Sequence, residues 1–232
     1  MRGPYSKYAA PPIYVYPDTP KRGVRFSRSE LVQLLVAILA LSASFTIVYA
    51  RYNLSLVAQS PGLFLALTFP ASLLAVGTGV GLHEIMHKVV AQRYGYWAEF
   101  RYNLRGLLMA FVFAAAIGFL YGAPGATWIS GAVTREQNGR ISAAGPLSNV
   151  LVAGLFFAAF LGLAGTGSGP LGFVTNILWI VASVNAFLAG FNMLPIMPLD
   201  GAKVWAWNKG AYGSIALVSI VLIALPYLLP VL

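Results

Sequence analysis

From Leu31 to Ala50 the chain runs for twenty residues without a charged side chain. A helix needs about 20 apolar residues to cross the hydrocarbon of a bilayer. Apolar runs recur at 61–95, where charge enters only from Glu84 onward, and at 142–163, 171–193 and 211–229. Only 9% of the residues are charged and 59% are hydrophobic, with a mean hydropathy of +0.76. A soluble domain carries about a quarter charged residues, so the chain reads as an all-α polytopic membrane protein. The expected fold is a bundle of about five to six transmembrane helices. Residues 96–105 and 125–133, polar-aromatic and strand-like, would add a short interfacial or re-entrant β-containing segment.

Residues 1–29 hold five prolines and six basic side chains and read as a flexible tail, leaving 30–232 as one membrane domain. The tail lacks the short apolar core and small-residue cleavage site of a signal peptide. Ser27 or Ser29 is placed to cap the first span, with Glu30 favourable in its first turn.

The run at 107–122 is about sixteen residues long and leaves the topology open. If it dips in and returns, Arg51 alone of the 15 basic residues lies outside; if it crosses, Arg51, Arg135, Arg140, Lys203 and Lys209 all do. The positive-inside rule favours the non-crossing arrangement with a cytoplasmic N-terminus. The same rule, with attraction to anionic lipid, accounts for the net charge of +9, so nucleic acid is not an expected partner.

The only two histidines fall four apart in His83-Glu84-Ile85-Met86-His87, at the end of the second span. On a helix this spacing stacks both rings on one face. The pattern H-E-x-x-H supplies two imidazoles to Zn²⁺ and sets the glutamate beside the open position as a general base. No cysteine is present, so a third ligand must be a carboxylate. Asp200 is the leading candidate, because Pro195, Pro198 and Gly201 break the backbone around it, and irregular backbone at membrane depth lines a cavity or is buried in protein. Pairing of Asp200 with Lys203 is the structural alternative, and Glu99 is a second candidate ligand. Gly77, Gly79 and Gly81 thin the helix before the motif, either to leave room beside the metal or for close packing. Asn149, Asn185 and Asn192 are candidates to hold substrate backbone or to join helices.

HEIMH at 83–87, AGPLSN at 144–149 and NMLPIMPLDG at 192–201 together resemble the site-2 protease family of intramembrane zinc metalloproteases. The stretches FSRSEL and PGATWISG are most similar to its archaeal members, and the likeness covers about residues 26–210. The resemblance implies His83, His87 and Asp200 as ligands of one Zn²⁺ per chain and Glu84 as the base. Asn192, with Asn149, would position substrate, and the substrate would be a transmembrane helix cut within the bilayer. The chain carries Met86 where many members have glycine, which bears on access beside the metal. Two other readings stand beside this one, a catalytically inactive relative that binds transmembrane segments and a metal transporter.

Overall fold

The computed structural model describes residues 23–163 and 170–228. The sequence-predicted tail therefore lies outside the described residues up to position 22. Five helices are long and apolar enough to cross a membrane. The first, α1 (Arg28–Tyr52), starts at Ser27, whose Oγ accepts the Glu30 N–H at 3.0 Å. A short α2 (Leu54–Gln59) leads to the second span, Pro61–Arg93. This span is α3 (Pro61–Val76), one π-helical turn at Gly77–Leu82, then α4 (His83–Arg93). The remaining spans are α6 (Arg135–Leu163), α7 (Pro170–Asn192) and α9 (Lys209–Leu228), with a short α8 (Asp200–Trp207) before the last.

Between α4 and α6 the chain forms strand β1 (Trp97–Tyr102), helix α5 (Leu104–Ile117) and strand β2 (Gly125–Ser130). The strands pair antiparallel from Trp97↔Ser130 to Tyr102↔Gly125, so the excursion through α5 leaves and returns at the same place. At 14 residues α5 is about 21 Å long. It ends at Gly118, left-handed at φ +73°, and there Arg51 donates to the Ala115 carbonyl at 2.7 Å. A cation at a helix C-terminus satisfies carbonyls that have no helical partner. The chain then runs back along α5 to meet it again where Asn103 N–H donates to Pro124 O at 2.8 Å. The return lies so close that a Cβ on Gly106 would overlap the Ala123 carbonyl. The segment 107–122 thus doubles back and returns to the strand it left, the course of a segment that does not cross.

The polar stretch 135–140, ahead of the apolar run at 142–163, belongs to the same helix and forms the opening of α6. Thr134 and Gln137 cap it reciprocally, Gln137 N–H donating to Thr134 Oγ1 at 3.2 Å and Thr134 N–H to Gln137 Oε1 at 3.0 Å. This is the T-x-x-Q capping box, a signature visible in the sequence.

Packing between spans is dominated by small side chains. Ala37, Ala75, Ala114, Ala153, Ala182 and Ala189 are completely buried, whereas Leu151 and Leu155 point outward. Lipid tails are as apolar as leucine, so helices associate by close backbone approach rather than by hiding large aliphatic groups. Helix α6 is central, packing on α4, α7, α8 and α9, while α1 packs on α3, α5 and β1.

Replacing Gly106 by Val is expected to destabilise the fold by about 1–3 kcal/mol, through overpacking against the returning backbone. Thermal unfolding in detergent should show a lowered midpoint, while Gly62→Ala, which meets open space, should not lower it.

Candidate metal centre

The histidine-bearing turn of α4 faces α6 on one side and the sheet on the other. The Nδ1 atom of His83 lies 2.9 Å from Asn149 Oδ1, and that of His87 lies 2.8 Å from the Ile141 carbonyl. Asn149 uses its Nδ2 to donate to Gly79 O at 3.0 Å, so its Oδ1 is an acceptor. Both imidazoles therefore carry their proton on Nδ1 and turn a bare Nε2 inward.

Asp200 meets them from the broken segment after α7. Turns at Met193–Leu199 carry the chain to the start of α8, and Gly201 passes so close that a Cβ would overlap the Met193 carbonyl. Asp200 Oδ2 lies 3.2 Å from His83 Nε2 and 3.0 Å from His87 Nε2, and the two Nε2 atoms are 3.0 Å apart. All three residues are less than a tenth exposed.

This donor set fits a metal ion. Three electron-pair donors face one another at 3.0–3.2 Å, near the ~3.3 Å edge of a tetrahedron with arms of about 2.0–2.1 Å. Space beside them is kept by Gly145, where a Cβ would come within 2.5 Å of His83 Nε2 and 2.6 Å of His87 Cε1. Two imidazoles and one carboxylate are also a ligand type that suits zinc. Among the described residues this is the one group of three His, Asp or Glu donors placed to hold a metal.

Glu84 points to the other side of α4, toward the sheet. Its Oε2 accepts the Thr127 N–H at 2.8 Å and the Thr127 hydroxyl at 2.9 Å. The same hydroxyl lies 3.1 Å from the Glu84 carbonyl. Thr127 has no signature of its own in the sequence, since its role depends on the strand that the fold brings to α4.

The other predicted residues are placed as follows. Glu99 is buried on β1 and pairs with Arg101, apart from the histidines. The Asp200–Lys203 pairing exists as well, with Lys203 Nζ 3.4 Å from Oδ1 while Oδ2 serves the histidines. Asn149 orients His83, whereas Asn192 donates to Leu188 O of its own helix at 3.0 Å. Asn185 donates to Thr78 Oγ1 at 3.0 Å and to Val181 O at 2.8 Å, joining α7 to the π-helical turn. Gly79 makes no room at the centre; it packs against α7, a Cβ there falling 2.8 Å from Leu188 Cδ1. The glycine that opens the metal side is Gly145. Met86 lines an apolar groove between α4 and α6 with Leu82, Val90, Leu147 and Leu151. It stands two residues, about 200°, round the helix from Glu84, so its bulk does not crowd the base.

Fold and site together define a polytopic membrane protein in which two histidines and one aspartate are placed to hold a metal ion, next to a glutamate. Over 83% of its length the chain is 39% identical to "Putative zinc metalloprotease MJ0611" of Methanocaldococcus jannaschii, covering 92% of that protein. It is 32% identical over 62% of its length to "Putative zinc metalloprotease Rip3" of Mycobacterium tuberculosis, covering 35% of that longer protein. No family model and no solved structure matches the chain. The chain belongs to the site-2 protease family and is an archaeal-type member, a metalloprotease.

Asn149→Leu is expected to weaken metal affinity about 10–100-fold by releasing the His83 ring, and Gly145→Ala to lower occupancy by intruding on both imidazoles. Competition with a metal chelator of known affinity, followed by elemental analysis, checks both.

Proposed function

We propose that this protein hydrolyses peptide bonds within or near the transmembrane helices of membrane-protein substrates, using one Zn²⁺ held by His83, His87 and Asp200. The observation that carries the proposal is the convergence of those three donors, one residue from a glutamate that faces an edge strand. A bound zinc supplies Lewis-acid activation of the attacking water and of the scissile carbonyl.

The chain's own residues supply the rest. Glu84, with one carboxylate oxygen held by Thr127, accepts the proton of the water and delivers it to the leaving amine. Asn149 and the Ile141 carbonyl keep the two ligand rings in their metal-binding tautomer. A helical substrate has its carbonyls hydrogen-bonded and must be extended before attack. In the proposed mode it is held extended along the outer edge of β2, where main-chain pairing ends beside Glu84. The broken segment at 193–199 provides irregular backbone through which water reaches this depth. The positive-inside rule favours an orientation with the sheet, the three donors and the N-terminus toward the cytoplasmic side. A transporter would need ligands spaced along a path, whereas the described residues hold a single group.

The test is cleavage of a transmembrane-helix reporter by the purified protein in proteoliposomes. Glu84→Gln is expected to lower turnover by at least about 10²-fold while keeping bound zinc, and Asp200→Ala to lose both. A Glu84→Gln protein as active as wild type would sink the proposal.

A further inference from the structure

The two-stranded sheet is gripped from both outer edges at one register position. Phe100 on β1 and Thr127 on β2 are cross-strand partners. Thr127 N–H donates outward to Glu84 Oε2 at 2.8 Å, and Phe100 N–H donates outward to Glu30 Oε1 at 3.0 Å. Both amides point away from the other strand, as in a non-hydrogen-bonded pair of an antiparallel ladder. Each would otherwise be an edge donor without a partner. Each is answered by a carboxylate from a membrane-spanning helix, one on α1 and one on α4.

Glu30 is 1% exposed and so is Lys88, whose Nζ forms an ion pair with Glu30 Oε2. Lys88 directly follows His87, and its ammonium lies 4.3 Å over the Phe26 ring. In the sequence S-R-S-E at 27–30, a capping box would turn the Glu30 carboxylate back to the N-cap amide. Ser27 completes its half of that box, but the Glu30 carboxylate goes to Phe100 and Lys88 instead. Helix capping alone does not require a buried ion pair, whose desolvation is costly.

We propose that Glu30, with Lys88 as its counter-charge, is a positioning residue for the proteolytic reaction. It fixes β1 and, through the Phe100–Thr127 pairing, the place at which β2 presents Thr127 to Glu84. A two-stranded sheet is marginal by itself, so its position is set by whatever holds its edges. A slip of one residue would carry the Thr127 hydroxyl to the opposite face. The role assigned to Glu84 rests on the proposed proteolysis; the grip on the sheet does not.

Two double variants separate positioning from charge burial, since neither leaves an unpaired buried ion. Glu30→Gln with Lys88→Met keeps an acceptor for the Phe100 amide, and Glu30→Leu with Lys88→Met removes it. Kinetics on the transmembrane reporter are read beside zinc content and amide hydrogen exchange. The acceptor-keeping variant is expected to hold kcat within about three-fold, and the acceptor-free one to lose about 10–100-fold in kcat with KM within about two-fold. Zinc content should be unchanged in both, with faster exchange across 125–130 in the acceptor-free variant only. Wild-type kcat in the acceptor-free variant, equal losses in both, or unchanged exchange across 125–130 would overturn the proposal. If wild type itself leaves the reporter uncut, the proteolytic reading fails separately and exchange alone decides the grip. Faster exchange across 125–130 in the acceptor-free variant then supports it, and unchanged exchange overturns it. Glu30→Ala with Lys88→Met gives the same comparison if the Leu variant does not accumulate folded.

Discussion

Hydrocarbon offers no hydrogen bonds, so a polar atom carried to membrane depth must find its partner within the chain. This requirement organises the structure. Asn149 bridges the Gly79 carbonyl and the His83 ring, and the Ile141 carbonyl takes the His87 ring. Arg51 closes the end of α5, and Glu30 neutralises Lys88 while answering a strand amide. What these pairings leave is two Nε2 atoms and one carboxylate oxygen, all acceptors and all turned toward one another. A cation placed between them would satisfy all three donors at once.

Close approach of backbone is the second condition. The re-entrant hairpin exists because Gly106 lets the returning chain lie on α5, and the Asp200 turn because Gly201 lets it pass the Met193 carbonyl. Gly145 does the same for the two imidazoles. These three glycines act at contacts between different elements rather than along one helix, which is why glycine spacing within a helix is a poor guide to them. The run Gly77-Thr78-Gly79-Val80-Gly81, adjacent to the motif, serves packing against α7 and α1 at Gly79 and Gly81.

The small sheet ties these parts to the chemistry. Its strands lie at the mouth of the hairpin, and its register places Thr127 opposite Phe100, so Glu84 and a buried ion pair of α1 and α4 hold the same pair of residues. The site is therefore supported from two directions, with α6 orienting the two imidazoles and the sheet orienting Glu84. Neither support is a contact between sequence neighbours.

The sequence by itself determined the membrane bundle, because apolar runs of about twenty residues permit little else. It also determined the stacked histidines, since spacing of four on a helix is local geometry. The placement of basic residues favoured a segment 107–122 that does not cross, and the pairing of its flanking strands agrees with that course. The start of α6 at Arg135 was legible too, in Thr134 and Gln137, although the polarity of 134–140 suggests a loop. Tertiary structure carried Asp200, the carboxylate that the broken backbone around it and the family resemblance already favoured, to the histidines and left Glu99 on β1 beside Arg101. It alone made Gly145 the glycine that opens the centre, Asn149 the residue that orients His83, and Thr127 and Glu30 the holders of the sheet. Each of those roles is a contact across 43 or more residues, and no periodicity along one segment carries information about such a partner.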